Sequence, residues 1–557
     1  MSALQWGKFM SRHARNSFFV VDEGVLEFDR EGRPNRRARH KGEHRFRFSR
    51  LGPEGEPVDE ATRAALTEAI TAAVPQGDAE VPAGFTYLGQ FVDHDLTLDR
   101  TDAELGEDVP DHELDQGRSP ALDLDSVYGR GPADRHDRAF YQRDGVRLKV
   151  GTTSRAGFPA GDAGVDREIE GYDLPRVGGT TGTPADRRRP LIPDLRNDEN
   201  LAVAQTHLAF IRFHNRVADE LALRGLRGNR LFDATRDEVV RHYQWMLRTD
   251  FLPRVVDPAV VADVFTNGRR FFEAPGRRHF GRPPTMPLEF AVAAYRFGHS
   301  MVRAAYQWNR VFRTGGPVGP ATLFQLFTFT GVAGNFDGAA TLPDLDDPNS
   351  GTVMTLPTNW IVDFRRLYDF TESNRPDLAV PAGSGNVARR IDSLLVNPLA
   401  QLPAGTFGGR GTEIPPIQRN LAFRNLTRAN MVRLASGQQM AALFGVPPLT
   451  EAQILDGNQG ATLAGLTTEQ RAAVSADTPL WFYVLREAEF DNGRLGAVGG
   501  RIVAELFHRA MEGSRISTVR DGSWRPTLGP DRRTFRMTDL LLFAFEGKAD
   551  LLNPLGD

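Results

Sequence analysis

The chain has 557 residues, of which 40% are hydrophobic and 25% are charged, and its formal net charge is −4 at pH 7. These values are typical of a globular protein with a large core, and they argue against a general binder of nucleic acid or of anionic membranes. The chain contains no cysteine, which excludes disulfides, thiolate metal sites and cysteine nucleophiles.

The N-terminal stretch "MSALQWGKFMSRHARNSFFVV" lacks the apolar run and the small-residue cleavage site of a secretory signal peptide. No segment reaches the roughly 18 consecutive apolar residues that a transmembrane helix needs. We therefore expect a soluble protein with no transmembrane segment, either cytoplasmic or exported without a recognisable signal peptide.

Residues 1–78 contain many basic residues, and glycine and proline interrupt the later part of this range, as in "RPNRRARHKGEHRFRFSRLGPEGEP". This composition predicts an irregular N-terminal arm that ends at residue 78. A basic arm can contact nucleic acid, but a solvated or packed extension is the commoner outcome. We therefore expect no nucleic-acid partner, and we assign residues 79–557 to one large domain.

Helical spacing dominates the domain, because apolar residues recur at intervals of three and four in 198–224, 238–252 and 288–305. Further helices are predicted at "NLTRANMVRLASGQQMAALFG", "TPLWFYVLREAEF" and "GGRIVAELFHRAME". Residues 150–192 and 310–420 are rich in Gly, Pro, Asp and Thr and predict long loops with short helices. The fold class is therefore mainly α with little β, and loops of this length usually serve a site.

The first candidate site is "GQFVDHD", where Gln90 and His94 lie four residues apart and so share one face of a helix. A paired amide and imidazole can hold a small polar molecule, and the imidazole can move a proton near neutral pH. Asp93 and Asp95 must point elsewhere. For this stretch alone, a capping or surface-facing pair of acids is the simpler interpretation.

The second candidate is His299 in "YRFGHSMVRAAY". Gly298 removes a side chain beside the ring, so that a large flat group can approach, and a helical imidazole is a common axial ligand of haem iron. Such an imidazole normally donates its other N–H to an oxygen acceptor. The alternative is a packed core histidine.

The third candidate is "PDLRNDENLAVAQ", in which Arg196 and Glu199 lie three apart at the start of a long helix. An arginine beside a buried cavity can stabilise negative charge on a bound oxygen species. The alternative is helix capping by Asp194 or Asn197 with a surface Arg–Glu pair.

Together the motifs "GQFVDHD", "SPALDLDSVYG", "DLRNDEN", "YRFGHS" and "RNLTR" resemble, in this order, the animal-type haem peroxidases of the peroxidase–cyclooxygenase superfamily. The resemblance spans roughly residues 80–545 and includes helices similar to those of bacterial members, "HNRVADEL" and "YQWMLRTDFLPRVV". It implies a single large helical catalytic domain at 79–557 that holds haem b.

The resemblance also implies residue roles. His94 would be the distal general base, Arg196 would assist O–O cleavage, and Gln90 would help to hold peroxide, water or halide. His299 would be the proximal iron ligand, with Asn425 as its hydrogen-bond partner. Two further residues are placed like those near the haem propionates: Arg296 and Arg428.

Two carboxylates match the acids that form ester bonds to haem methyl groups in the mammalian enzymes: Asp93 and Glu199. In the family these bonds form by autocatalytic oxidation. The resemblance therefore implies, as a hypothesis, that the haem is ester-linked in this chain as well.

A calcium loop is implied at "SPALDLDS", with oxygen ligands from Ser119, Ala121 (its carbonyl), Asp123 and Asp125. Asp95, beside the distal histidine, would supply another carboxylate, and Ca²⁺ takes six to eight oxygens. The family usually has threonine first and serine last in this loop, so Ser119 and Asp125 depart from the pattern. The alternative is a solvated turn.

Two enzyme branches fit the resemblance. A peroxidase would use hydrogen peroxide to form Compound I and then oxidise halides, phenols or other small donors. A cyclooxygenase-like fatty-acid dioxygenase needs a tyrosine three residues before the proximal histidine, where this chain has Arg296. Tyr295 is one place off, which on an α-helix is a rotation of about 100°, so we expect it to face away from the pocket. We therefore favour the peroxidase.

A third interpretation is a non-catalytic adhesion or scaffold protein with a relict haem fold. Such a protein should have lost part of the catalytic set, whereas His94, Arg196 and His299 are all present. The expected partners are therefore hydrogen peroxide and small electron donors or halides. The sequence does not define the oligomeric state.

Overall fold

The computed structural model describes residues 46–75, 77–101, 103–155, 166–275, 284–331, 353–402 and 414–557. Helices dominate this part of the chain, and the strands within it are short and pair only in twos. The predicted mainly α class, with long ordered loops and little β, is confirmed.

The α-helices of the described ranges follow one another along the whole domain. In chain order they are α1 Glu60–Ala72, α2 Gly84–Leu96, α3 Asp125–Tyr128, α4 Pro184–Arg188, α5 Leu201–Leu223, α6 Gly228–Met246, α7 Leu252–Val255, α8 Pro258–Asn267, α9 Asn397–Ala400, α10 Leu421–Met431, α11 Gly437–Phe444, α12 Glu451–Asp456, α13 Thr468–Ala476, α14 Leu480–Phe490, α15 Gly499–Gly513, α16 Met537–Ala544 and α17 Ala549–Leu552. Short 3₁₀ segments include Leu195–Asp198 and Ala294–His299, and π-helical turns occur at Leu247–Phe251 and Glu289–Ala293.

Two of the four strand pairs in the described part of the chain join segments that are far apart in sequence. Strand β1, Phe48–Ser49, runs parallel to β5, Met286–Pro287, while the other pairs are antiparallel. These pairs are β2 Asp78–Pro82 with β8 Val387–Arg389, β3 Gly151–Thr152 with β4 Glu170–Asp173, and β6 Ala305–Tyr306 with β7 Ala321–Thr322. The first two pairs therefore bring distant segments together, whereas β3–β4 and β6–β7 each close a local loop.

Helix α2 is held in the core by α5, against which it packs. Phe91 of α2 stacks on Phe210 of α5, with ring centroids 4.5 Å apart, and Tyr243 of α6 meets the edges of both rings. Gly84 begins α2 where a Cβ atom would lie 2.3 Å from the ring of Tyr368, so only glycine fits this approach. The apolar face of α2 is thereby buried, and its polar face is turned to one side.

The long predicted helix 198–224 begins at Leu201 in the structure, because the Asn200 side chain accepts a hydrogen bond from the N–H of Val203 at 2.9 Å and caps the helix. The predicted cap Asp194 instead begins the short 3₁₀ segment, where it accepts from the N–H of Arg196. Arg196 and Glu199 therefore lie in the approach to α5 and not on α5 itself.

The predicted helix 288–305 is wrong in its type and its end. The chain forms a π-helical turn at Glu289–Ala293, tightens to a 3₁₀ helix at Ala294–His299, and then leaves the helix before strand β6. π-helical turns are rare and are frequent at functional sites. Spacing rules for an α-helix do not apply across this change.

The N-terminal arm is more ordered than predicted over the part that the structure describes. Residues 60–72 form α1, whose Leu66 and Ile70 are fully buried and which packs against α10. Phe48 of β1 reaches the central cavity. The prediction missed the apolar face of α1 because neighbouring Gly and Pro residues suggest a loop. Residues 1–45 lie outside the described residues, and the boundary at 78 stays a prediction.

The loops predicted at 150–192 and 310–420 are ordered where the structure describes them. Asn309 illustrates this order, since its fully buried amide donates to the carbonyls of Asn359 and Ile361 and accepts from the N–H of Val311. Parts of these predicted loops, 156–165, 332–352 and 403–413, lie outside the described residues. Within the described ranges, every helix is too short or too polar to cross a lipid bilayer.

Candidate active site

A central cavity opens between α2, the 196–200 approach to α5, the 291–302 segment and α10. The cavity volume accessible to the centre of a water molecule is about 230 Å³. One wall carries Gln90, His94 and Arg196, and another carries His299 and Asn425, while Leu399 and Leu402 contribute an apolar part of the lining. The structure thus brings together all three histidine and arginine motifs that the sequence singled out.

His94 is 4% exposed, and its Nδ1 lies 2.9 Å from Oδ1 of Asn197. With the Asn197 amide in this orientation its oxygen accepts, so Nδ1 carries the proton and Nε2 keeps its lone pair. Burial, and then the charge of Arg196, lowers the pKa of His94. The imidazole is therefore neutral at neutral pH, with Nε2 available as a base 3.8 Å from Oε1 of Glu199.

Arg196 is held by Asp194 in a two-pronged ion pair. Its Nε donates to Oδ1 at 3.0 Å and its Nη2 to Oδ2 at 2.7 Å, while Nη2 also donates to the carbonyl of His94 at 3.0 Å. Asp194 is fully buried. Burial alone would raise the pKa of Asp194, but Arg196 and Arg118 hold it below its usual range, so the carboxylate stays ionised.

Gln90 bridges two residues of the 196–200 approach. Its Nε2 donates to Oε1 of Glu199, and its Oε1 accepts from Nδ2 of Asn200 at 3.0 Å. These bonds orient the amide beside His94 on the same face of α2. The predicted pairing of Gln90 with His94 on one face is therefore present in the structure.

His299 lies across the cavity, with its Nδ1 at 2.9 Å from the side-chain amide of Asn425. In this orientation Nδ2 of Asn425 donates to Nδ1, whereas the amide turned by 180° would accept a proton from it. With the amide turned, Nδ1 carries the proton, and the other ring nitrogen, Nε2, keeps the lone pair that a metal ligand needs. A Cβ added to the neighbouring Gly298 would meet no atom within 4 Å, because that residue borders open space.

The electrostatics of this wall keep His299 neutral. Burial, followed by the charges of Arg296 and Arg428, lowers the pKa of His299 to about 3. A neutral imidazole can donate a lone pair to a metal. Arg428 pairs with Asp99 at 2.9 Å, and burial together with Arg296 lowers its pKa to about 9.

Asp93 and Tyr295 also line the cavity. The Oδ1 atom of Asp93 accepts a hydrogen bond from the Thr97 hydroxyl at 3.0 Å. The prediction that Tyr295 faces away from the pocket is wrong, since Tyr295 is among the residues that line it, in a 3₁₀ segment and not in an α-helix. The Tyr295 hydroxyl has no hydrogen-bond partner among the described residues, and burial, then Asp93, raises its pKa well above its usual value.

The predicted calcium loop brings three carboxylates together. One oxygen each of Asp95, Asp123 and Asp125 lies within 4.8 Å of the others. The Ser119 hydroxyl donates to Asp123 at 3.3 Å, and the carbonyl of Ala121 accepts from the N–H of Asp123 at 3.0 Å. Asp95 points away from the cavity into this group, as expected from its place beside His94.

Repulsion and burial act on this loop together. Burial, then the charge of Asp125, raises the pKa of Asp95 to about 7, and the pKa values of Asp123 and Asp125 are also raised, chiefly by burial. Leu124, between the two aspartates, has a φ of 59°, which is uncommon for a residue with a side chain. Three crowded carboxylates with backbone oxygens nearby are a set of hard ligands that suits a cation such as Ca²⁺.

The sequence motifs do not indicate the roles that several residues of the site have in the structure. The sequence suggests Asn197 and Asp194 only as helix caps, yet Asn197 orients His94 and Asp194 holds Arg196. No motif points to Arg118 and Asp99, although they pair with Asp194 and Arg428. The D-x-R spacing of Asp194 and Arg196 was the one available signal, since such a pair can close a bidentate contact.

Comparisons with known proteins show similarity to haem peroxidases. Residues 100–321 match the family model described as animal haem peroxidase. This range includes Arg196, His299 and residues 119–125, the predicted calcium loop, which we call the carboxylate loop. A peroxidasin homolog of Caenorhabditis briggsae is 31% identical over 356 residues, covering 60% of this chain and 22% of that protein. Thyroid peroxidase of Mus musculus is 27% identical over 195 residues, covering 33% and 19%. The aligned parts span less than a quarter of these relatives.

Solved structures share the fold. Peroxidase A from Dictyostelium discoideum superposes with a TM-score of 0.56 at 14% identity, over 97% of this chain and 98% of that one. The fatty acid alpha-dioxygenase of Oryza sativa gives a TM-score of 0.51 at 12% identity, over 99% and 88%. Residues 100–321 are therefore similar to the animal haem peroxidase family, and the whole domain shares the fold of these solved structures.

Proposed function

We propose that this chain is a haem peroxidase that uses hydrogen peroxide to oxidise halides, phenols or other small electron donors. The observation that carries the proposal is the pair of histidines on two walls of one cavity. Nδ1 of each ring is hydrogen-bonded to an asparagine, so that Nε2 of each remains for chemistry. The match of residues 100–321 to the animal haem peroxidase family model supports the same activity.

The cavity fits a haem b group. His299 offers a neutral ring nitrogen, Gly298 borders open space where a flat ring can approach, and Arg296 and Arg428 offer positive charge for propionates. Asn425 would accept the Nδ1 proton of a ligating His299 once its amide is turned. When bound, the haem supplies the iron that accepts electrons from the donor and passes them to peroxide.

His94 acts as the general base of the proposed reaction. Its Nε2 takes a proton from the peroxide oxygen nearer to it and returns that proton to the oxygen that leaves as water. The bond from Nδ1 to Asn197 holds the ring in the tautomer that this transfer requires. The lowered pKa of His94 keeps the base form populated at neutral pH.

Arg196 and Gln90 position the peroxide beside His94. The guanidinium of Arg196 stabilises negative charge on the departing oxygen, because Asp194 fixes its direction in a buried setting. Gln90, oriented by Glu199 and Asn200, provides a polar contact for peroxide, water or halide.

We further propose that Ca²⁺ binds the carboxylate loop through Asp95, Asp123, Asp125, Ser119 and the carbonyl of Ala121. A divalent cation would compensate the buried negative charge of the three aspartates, whose pKa values are raised chiefly by burial. Since Asp95 neighbours His94 on α2, the cation would also fix the base. Calorimetric titration tests this site, and wild-type protein that takes up no calcium would contradict it.

Peroxide treatment is expected to link the haem covalently through esters to Asp93 and Glu199, which both line the cavity. Acid-butanone extraction and haem staining of denaturing gels measure the link. The haem should stay with the wild-type protein after peroxide and leave the Asp93→Asn/Glu199→Gln double variant. Complete extraction from the treated wild type would contradict the ester proposal and leave the peroxidase proposal intact.

A fatty-acid dioxygenase is the second candidate, favoured by the place of Tyr295 in the cavity lining and by the apolar part of the cavity. Stopped-flow absorbance with peroxide, followed by a panel of bromide, iodide, chloride, thiocyanate, phenols and linoleate, separates the two activities. We expect rapid reaction with peroxide and turnover of small donors. Oxygen uptake with linoleate would reassign the branch, and protein from haem-supplemented cells that holds no iron would favour a relict scaffold.

A further inference from the structure

Arg118 lies between the carboxylate loop and the buried ion pair of Arg196. Its Nη1 is 3.3 Å from Oδ1 of Asp125, and its Nη2 is 2.5 Å from Oδ2 of Asp194. The residue is 6% exposed and is not part of the cavity lining. It therefore contacts a proposed ligand of the cation on one side and a partner of Arg196 on the other.

The Asp194 carboxylate is shared between the two guanidiniums. The same Oδ2 atom that accepts from Arg118 accepts from Nη2 of Arg196 at 2.7 Å. Asp125, Arg118, Asp194 and Arg196 thus form a row of alternating charges that ends at the carbonyl of His94. In a buried setting such contacts are strong and polarise one another, so a change at one end is felt at the other.

We propose that Arg118 is a positioning residue that couples the occupancy of the carboxylate loop to Arg196 in the cavity. A cation in the loop competes with Arg118 for Asp125. Arg118 then shifts toward Asp194, Oδ2 of Asp194 is drawn to Arg118, and the ion pair of Asp194 with Arg196 weakens, so that Arg196 can move toward the cavity. This inference rests on the proposed function, because it concerns the same loop and the same arginine.

A second connection runs through the backbone of α2. Asp95, which contacts the carboxylate loop, is adjacent on this helix to His94, which lines the cavity. That connection does not pass through Arg118. A variant at Arg118 therefore removes the side-chain route and leaves the backbone route in place, which makes the two separable.

The test measures the dissociation constant of cyanide, an anionic ligand of ferric haem, with saturating calcium and after its chelation. In the wild type, calcium is expected to tighten cyanide binding by roughly fivefold or more, in the usual range of coupling between sites. In Arg118→Met only the backbone route through α2 remains, so calcium should change the constant by no more than about twofold. An unchanged calcium effect in Arg118→Met would overturn the inference.

Two variants guard against simple structural damage. Arg118→Lys keeps the charge but not the two-pronged shape, and it should restore part of the calcium effect. Arg269→Met removes another buried arginine, which is 4% exposed and pairs with Glu512 at a distance of 2.8 Å. Arg269 is not among the residues that line the cavity. It should behave as the wild type, and a loss of coupling there as large as in Arg118→Met would overturn the inference.

Calorimetric titration with calcium provides a readout that does not depend on haem. Arg118→Met should bind calcium several-fold more tightly than the wild type, because a positive charge that competes for Asp125 is gone. Equal or weaker calcium binding would overturn the inference whatever the haem content. Wild-type protein that takes up calcium but no haem would instead contradict the proposed function, and the calcium arm would still decide the role of Arg118.

Discussion

Replacing His94 with alanine is expected to slow the reaction with hydrogen peroxide by about 10²–10⁴-fold, the range that general acid–base catalysis supplies. The reason is that the variant loses the imidazole whose Nε2 lone pair can accept the peroxide proton on this wall of the cavity. Arg196 and Gln90 remain in place. Stopped-flow absorbance after mixing with peroxide measures the second-order rate. Haem content and the resting spectrum should stay close to those of the wild type.

Two observations separate this loss from general damage. Added imidazole should restore part of the rate in His94→Ala, because it can enter the space left by the ring and act as the base. Asn197→Ala should give a smaller loss, since it releases the Nδ1 bond but keeps the base itself. An unchanged rate in His94→Ala would refute the role assigned to this histidine.

Replacing His299 with alanine is expected to remove most of the bound haem, since the proposed iron ligand is lost and α10 offers only the amide of Asn425 in its place. The ratio of haem to protein and the Soret band after purification from haem-supplemented cells measure the effect. His242→Ala is a matched control, because His242 is fully buried, accepts from the N–H of Thr527 at 3.1 Å and is absent from the cavity lining.

If His299→Ala folds poorly, a milder variant still tests the role of His299. Asn425→Asp places a carboxylate beside Nδ1, which should make His299 a stronger donor and lower the reduction potential of the haem without removing it. A His299→Ala protein with wild-type haem content and spectrum would move the iron ligand elsewhere. An unchanged potential in Asn425→Asp would contradict the pairing with His299.

The face of α2 could be predicted because it depends only on local spacing. Gln90 and His94 lie one turn apart in any α-helix, and Asp93 and Asp95 must then point to other sides. The structure agrees, with Asp93 in the cavity lining and Asp95 fully buried among the loop carboxylates. The same reasoning found the main helices, since their apolar stripes follow the 3.6-residue repeat.

The same rules failed where the backbone departs from an α-helix. Tyr295 was expected to point away from the pocket on the spacing of an α-helix, but it lies in the 3₁₀ segment Ala294–His299 and lines the cavity. Helix α1 escaped prediction for a related reason. Its partner, α10, lies more than three hundred residues along the chain, so no local pattern shows what covers its apolar face.

The sequence by itself determined the mainly α class, the pairing of Gln90 with His94 and the set of motifs that resemble a haem peroxidase, because each depends on residue types at short spacings. Only the tertiary structure decided which partners hold these residues. Asn197 orients His94, Asp194 joins Arg196 to Arg118, and Asp99 pairs with Arg428. Such pairs form between buried groups far apart in the chain, where each charge needs a counter-charge at contact distance and only folding supplies it.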